Sequence, residues 1–164
     1  VASRLAVCAG TFDPLTLGHV GIIRRGLAVF DRVLVAVTVN VRKSPLFTAE
    51  ERMEMIREVF ADEPRVTVDH LDGLLAHYAA ERGACAILRG LRAPSDFEYE
   101  LQMSHMNRHL VPSLETVFLT AEAEGSYVSS SLIKEVAALG GDVRAHLPPN
   151  VHDALMRKLG RTAG

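Results

Sequence analysis

Five short apolar runs, each followed by a stretch with helical spacing, constrain this chain more than any other feature in it. The runs are 5–9, 33–39, 66–68, 84–88 and 116–120. Each has the length of a strand, and the second is almost continuously β-branched, as strands buried on both faces are. Helical patterns fill the intervals. Val20, Ile23, Leu27 and Phe30 mark a face after the first run, and Met53, Ile56 and Phe60 mark one behind a capping box at Thr48 and Glu51. A helix over 74–82, stopped by Gly83, follows the third run. One reaching Leu110, behind a second capping box at Ser95 and Glu98, follows the fourth. Leu132, Ile133, Val136 and Leu139 follow the fifth, and a last amphipathic helix covers 151–159 with a frayed tail beyond it. This alternation predicts an α/β fold: one domain over 1–164, built on a doubly wound five-stranded parallel sheet. Right-handed crossovers bring the C-terminal ends of the strands to one edge, where such sheets bind ligands.

The residues due at that edge are chemically alike. After the first run comes Gly10-Thr11-Phe12-Asp13-Pro14-Leu15-Thr16-Leu17-Gly18-His19, a crossover into a helix. Its glycines let backbone approach a ligand, and the N–H groups of the helix start attract an anion, with His19 in the first turn. Lys43 follows the second run, Arg89-Gly90-Leu91-Arg92 the fourth, and Ser129, Ser130 and Ser131 cap the helix after the fifth. Arginine grips phosphate through its forked donors, and a serine-capped helix start serves the same ligand. Three cations, a histidine and two anion-seeking turns converging on one edge predict a polyphosphate site. The third run is followed by Asp69-His70-Leu71-Asp72-Gly73, which is less pointed, and Asp13 before Pro14 reads as a turn-former.

Composition narrows the field further. Eighteen Lys and Arg against 20 Asp and Glu give a net charge of −2, which argues against a general nucleic-acid or membrane surface. No apolar run reaches spanning length and no signal peptide is visible, so the expected location is the cytoplasm. Cys8 and Cys85, both expected in buried strands, form neither a disulfide framework nor a metal spacing. His105 and His109 stand i, i+4 but lack a third zinc ligand, and no carboxylate cluster suggests a protein-held pair of metals. Met103 and Met106 are expected to pack in the core or across a subunit contact.

Thr16-Leu17-Gly18-His19 resembles the T/H-x-G-H signature of the nucleotidylyltransferases, in which the motif holds the phosphates of ATP. Alone it permits cytidylyl transfer, adenylyl transfer to nicotinamide mononucleotide, or a nucleotide-binding module without turnover. Longer runs are more specific. Gly-Thr-Phe-Asp-Pro at 10–14, Lys43, Arg-Gly-Leu-Arg at 89–92, Asp-Phe-Glu-Tyr-Glu-Leu-Gln-Met at 96–103, Met-Asn-Arg-His at 106–109 and Ser-Ser-Ser-Leu-Ile-Lys-Glu-Val at 129–136 resemble the bacterial phosphopantetheine adenylyltransferases, from 5 to about 159. The chain departs from that pattern at Ala9, Val41 and Gly125.

The resemblance implies a Rossmann-like nucleotidyltransferase fold and transfer of the adenylyl group of ATP to 4′-phosphopantetheine, giving dephospho-coenzyme A and pyrophosphate. It implies that His19 stabilises the transition state, with Lys43 and Arg92 also catalytic. ATP would be held by Thr11, Phe12, His19, Gly90, Leu91, Arg92, Glu100, Gly125, Ser126, Tyr127, Val128, Ser129, Ser130 and Ser131. Thr11, Lys43, Leu75 and Arg89 would hold the pantetheine substrate. Magnesium would ride on the triphosphate, with no metal held by protein side chains alone. A homohexamer and feedback inhibition by coenzyme A are also implied.

Overall fold

The computed structural model describes residues 3–39, 44–121 and 128–161. Five parallel strands, β1 (Leu5–Gly10), β2 (Arg32–Thr38), β3 (Val66–Leu71), β4 (Ala86–Leu91) and β5 (Glu115–Thr120), form one sheet in the order β3-β2-β1-β4-β5. The helices are α1 (Leu17–Gly26), α2 (Ala49–Val59), α3 (Leu75–Glu81), α4 (Pro94–Leu110), α5 (Ser130–Ala138) and α6 (Pro149–Lys158), with a 3-10 turn at Arg144–His146. Successive side chains of a strand point to opposite faces, so β1 feeds two cores. Leu5, Val7 and Ala9 pack with Ala76, Tyr78 and Ala79 of α3 on one side. Ala6 and Cys8 share the other with Ile23 of α1, Ile56 of α2, Ile133 of α5 and Leu155 of α6. Both faces are covered, as the apolar runs require.

Several boundaries differ from the sequence expectation, each for a local reason. The fourth strand begins at Ala86 and runs on through Leu91, because β5 pairs with it to Leu91↔Thr120. Arg89, Gly90 and Leu91 are thus strand residues, and only Arg92 follows the strand. Cys85 lies just ahead of it and is exposed, its Sγ donating to the Leu5 carbonyl, whereas Cys8 is buried as expected and burial pushes its thiol up to about 11. The third strand extends to Leu71 and takes in Asp69 and His70. Helix α1 stops at Gly26, and Phe30 is buried from the turn beyond, its N–H donating to the Gly26 carbonyl. The capping box at Thr48 and Glu51 is present, but the one at Ser95 is not. Pro94 opens α4 instead, since its ring suits the first helical position, and the preceding Ala93 offers no side-chain cap.

The chain passes from β1 outward to β2 and β3, then returns to β4 on the other side of β1, which makes the β1–β4 seam the switch point of the sheet. Strands β1 and β2 pair from Leu5↔Arg32 to Gly10↔Val37, whereas β1 and β4 pair only at Ala6↔Ala86 and Val7↔Ile87. Past those two rungs the strands part. Helix α1 can lie close over β4 because a Cβ on Gly26 would meet Leu88 Cδ2 at 2.5 Å, and one on Gly90 would meet Ile22 Cγ1 at 2.9 Å.

Candidate active site

The parted strands open a cavity of about 880 Å³, lined by β1 and β4, the crossover after β1, Arg92 and the start of α5. A smaller one of about 330 Å³ adjoins it and runs from Arg89 and Glu100 to Leu75 and Asn107.

His19 is the third residue of α1 and completes a reciprocal capping box with Thr16. The Thr16 hydroxyl accepts from the His19 N–H at 3.3 Å, and His19 Nδ1 accepts from the Thr16 N–H at 3.0 Å, in the place Glu or Gln usually takes. A backbone N–H can only donate, so Nδ1 is bare and the proton of the neutral ring sits on Nε2. The Phe12 ring meets the imidazole edge-on at 5.0 Å and 76°. Phe12 holds φ at 49°, a left-handed conformation that strains a bulky residue, and its side chain is buried. It therefore props His19 and also lines the cavity. Burial first, then the charges of Arg92 and Arg89, push the imidazole down to about 4. At neutral pH His19 is an uncharged N–H donor.

That depression has a thermodynamic sign. Between the ordinary value of 6.5 and about 4, the unfolded chain binds a proton at His19 that the folded chain does not. Stability is therefore lost as pH falls through that window and is insensitive to His19 above it. His19→Gln keeps the capping pattern without the titration. Denaturant unfolding at pH 7 and pH 4 should show wild type losing about 3 kcal/mol more than this variant. Parallel losses would refute a neutral, part-buried ring.

Arg89 is engaged on three sides. Its Nε and Nη2 donate to Glu100 Oε2 and Oε1 at 2.8 and 2.5 Å, and Nη1 donates to the Ala9 carbonyl at 2.8 Å. The last bond spans the seam where the backbone ladder has ended. Glu100 holds the guanidinium above the ordinary arginine value. Arginine has five N–H donors, and three of them are used among the described residues. Arg92 pairs with Asp96 at 3.3 Å and is half-exposed beside the cavity.

The serine run divides its labour. Ser129 is the cap, its Oγ accepting from the Leu132 N–H. Ser130 Oγ donates to the Pro14 carbonyl at 2.8 Å, and Ser131 and Val128 line the cavity. Thr11 and Gly90 line it too, and Leu91 ends β4. Lys43, Gly125, Ser126 and Tyr127 lie outside the described residues.

Three residues emerge here whose contacts the sequence did not show, although Asp13 and Pro14 do form a turn as expected. Asp13 is no plain turn-former: it is 4% exposed, accepts from the N–H groups of Leu46 and Phe47 at 2.9 Å each, and pairs with Lys134. Burial alone would raise its carboxyl, but the Lys134 ammonium and the two N–H groups outweigh that and hold it below the ordinary value. Arg52, 2% exposed, donates to the carbonyls of Thr11, Thr38, Phe47 and Thr48, tying the crossover to the end of β2 and the entry to α2. The signals were faint. Arg52 stands i−4 from Ile56 on the apolar stripe of α2, and Lys134 is one turn from Ser130.

Among the described residues no three His, Cys, Asp or Glu could hold a metal ion together. The carboxylates lining the main cavity, Asp13, Asp96 and Glu100, are each paired with a cation: Lys134, Arg92 and Arg89. The described walls thus offer an incoming anion hydrogen-bond donors and no unpaired carboxylate.

A model of the cytidylyltransferase-like family matches residues 7–136. The phosphopantetheine adenylyltransferase of Anaeromyxobacter dehalogenans strain 2CP-C is 53% identical to this chain over 159 residues, 97% of each. The phosphopantetheine adenylyltransferase of Acidovorax sp. strain JS42 is 50% identical over 163 residues, 99% of each. That of Nitratidesulfovibrio vulgaris strain DP4 is 54% identical over 157 residues, 96% of this chain and 84% of the relative.

Proposed function

This chain belongs to the phosphopantetheine adenylyltransferases, within the cytidylyltransferase-like family, and from that premise we propose that it moves the adenylyl group of ATP onto 4′-phosphopantetheine, a step of coenzyme A biosynthesis. The observation that carries this is the cavity wall in which, among the described residues, every carboxylate is already paired. A phosphate monoester is an anionic nucleophile near neutral pH and needs no general base. It needs alignment with the α-phosphorus and donors for the charge that builds on the phosphoryl oxygens.

A phosphate oxygen of the pantetheine substrate attacks the α-phosphorus, the bond to the β-phosphate bridging oxygen breaks, and pyrophosphate leaves. His19 Nε2–H donates to the α-phosphate as its charge grows, and Arg92 and the starts of α1 and α5 hold the triphosphate. Thr11, Phe12, Gly90, Leu91 and Glu100 complete the nucleotide side, with the segment from Gly125 to Ser131. Arg89, together with Lys43, takes the phosphate of the acceptor, and Thr11 and Leu75 face its pantetheine arm. The described donor set is no protein cage for Mg²⁺. The ion belongs with the triphosphate oxygens as part of the substrate.

The family pattern supports a homohexamer, feedback inhibition by coenzyme A and a cytoplasmic location. The apolar side chains that α4 leaves exposed, Tyr99, Met103 and Met106 among them, suit such self-association. Among the described residues no helix is long and apolar enough to cross a membrane.

The test is pyrophosphate release on mixing the protein with ATP and 4′-phosphopantetheine. Release with nicotinamide mononucleotide as acceptor, or from CTP in place of ATP, but not with this pair would overturn the assignment. Lys43 then separates the two ends of the site. Lys43→Ala should weaken phosphopantetheine binding roughly tenfold or more and lower turnover through lost alignment. ATP affinity should hold, and unphosphorylated pantetheine should bind both proteins equally. Equilibrium titrations decide, and a loss confined to ATP would put Lys43 on the other substrate.

A further inference from the structure

The adenylyl-transfer reading gives roles to His19 and the serines but none to Lys134 or Asp13, although both line the cavity. Lys134 lies on α5, three and four residues after Ser131 and Ser130, so it shares their helix face. Its Nζ reaches Asp13 Oδ2 at 2.5 Å, with the lysine side chain 27% exposed and the aspartate 4%. Asp13 also accepts from Leu46 and Phe47, so one carboxylate joins the crossover, the entry to α2 and α5. Ser130 Oγ on the Pro14 carbonyl is a second clasp between the same two segments.

These clasps set a distance that the chemistry uses. His19 is rooted in the crossover through Thr16, while Ser131 and the α5 start are rooted in the helix that Lys134 ties down. An ammonium hydrogen-bonded to a buried carboxylate is largely neutralised, which disfavours a direct grip on phosphate. We propose that Lys134 is a positioning residue: through Asp13 it holds the serine-lined start of α5 against the crossover, so that a triphosphate is gripped by both segments at the separation transfer requires. This rests on the adenylyl-transfer reading.

The experiment compares wild type with Lys134→Met, Lys134→Arg, Asp13→Asn and the Asp13→Asn/Lys134→Met double variant, by ATP titration and by steady-state kinetics with ATP and phosphopantetheine. Lys134→Met should fold, bind ATP about five- to tenfold more weakly and lose roughly 10- to 100-fold in kcat, the scale of an ångström of misplacement. The KM for phosphopantetheine should stay within about twofold, since that end of the site is held by other residues. Lys134→Arg should restore most of both losses. The double variant should be no slower than Asp13→Asn, because each change breaks the same link.

Wild-type turnover in Lys134→Met, failure of Arg to rescue, or losses that multiply in the double variant would each overturn the proposal, the last by placing Lys134 on phosphate itself. If Asp13→Asn does not fold, the Met and Arg variants decide alone. If wild type transfers no adenylyl group, the parent reading fails. The ATP titrations, with the same pattern of loss and rescue, still decide whether Lys134 sets the cradle.

Discussion

Replacing His19 with alanine is expected to slow adenylyl transfer by roughly two to three orders of magnitude, the usual cost of one oxyanion donor. The imidazole is neutral near pH 7, so in the proposed role it would offer ground-state ATP a single uncharged hydrogen bond. Its donor gains value only as charge accumulates on the α-phosphate, so ATP affinity should fall severalfold at most. The same ring caps α1, and losing Nδ1 leaves the Thr16 N–H unsatisfied at a cost of about 1 kcal/mol. His19→Gln separates the two roles, since it keeps the cap and lacks the ring. Its turnover should stay within about tenfold of the alanine variant, in keeping with loss of the donor itself. Pre-steady-state pyrophosphate release reads both, and near-normal turnover in His19→Ala would end the transition-state role.

Arg52→Met is expected to cost stability rather than chemistry, on the order of 3–5 kcal/mol. Burial pulls this guanidinium below the ordinary arginine value, with the Asp13 charge opposing, yet an arginine stays protonated in any fold. Carbonyl oxygens from three segments, those of Thr11, Thr38, Phe47 and Thr48, accept from it. Methionine fills the space and offers no donor to Thr11, Thr38 or Phe47, while the backbone N–H of residue 52 still serves Thr48. Equilibrium denaturation measures the loss, and a change within about 0.5 kcal/mol, the range of ordinary surface substitutions, would mean that those carbonyls find other donors.

The sheet and the edge that carries the site were legible because apolar runs and capping boxes are local signals. The second strand could hardly be anything else, and Thr48 with Glu51 announces α2 outright. Arg89, Arg92 and His19 were legible as cations and a donor at one edge, since topology alone brings strand ends together. What those side chains touch was not legible. Arg89 reaches Ala9 across 80 residues, Arg52 reaches Thr11 across 41, and Lys134 reaches Asp13 across 121. In sequence Arg52 and Lys134 look like ordinary solvated charges, and nothing near Arg89 announces its bond to Ala9. Ser95 shows the converse error: a capping motif of the right spacing stood one residue inside a helix that a proline had already started.

The two-rung seam between β1 and β4 also bears on the order in which the molecule can come together. Leu5 meets Arg32 on β2 after a loop of modest length, whereas Ala6 meets Ala86 on β4 only after a much longer one. Closing the longer loop costs about 1 kcal/mol more in chain entropy, and two rungs return little for it until side chains bridge the gap. The half of the sheet holding β1, β2 and β3 is thus favoured to assemble first, with β4 and β5 docking onto it later. His19 is carried by the early half, and Arg89 and Arg92 arrive with the late one. A chain stopped between those events holds half a site, so catalytic competence reports completion of the fold.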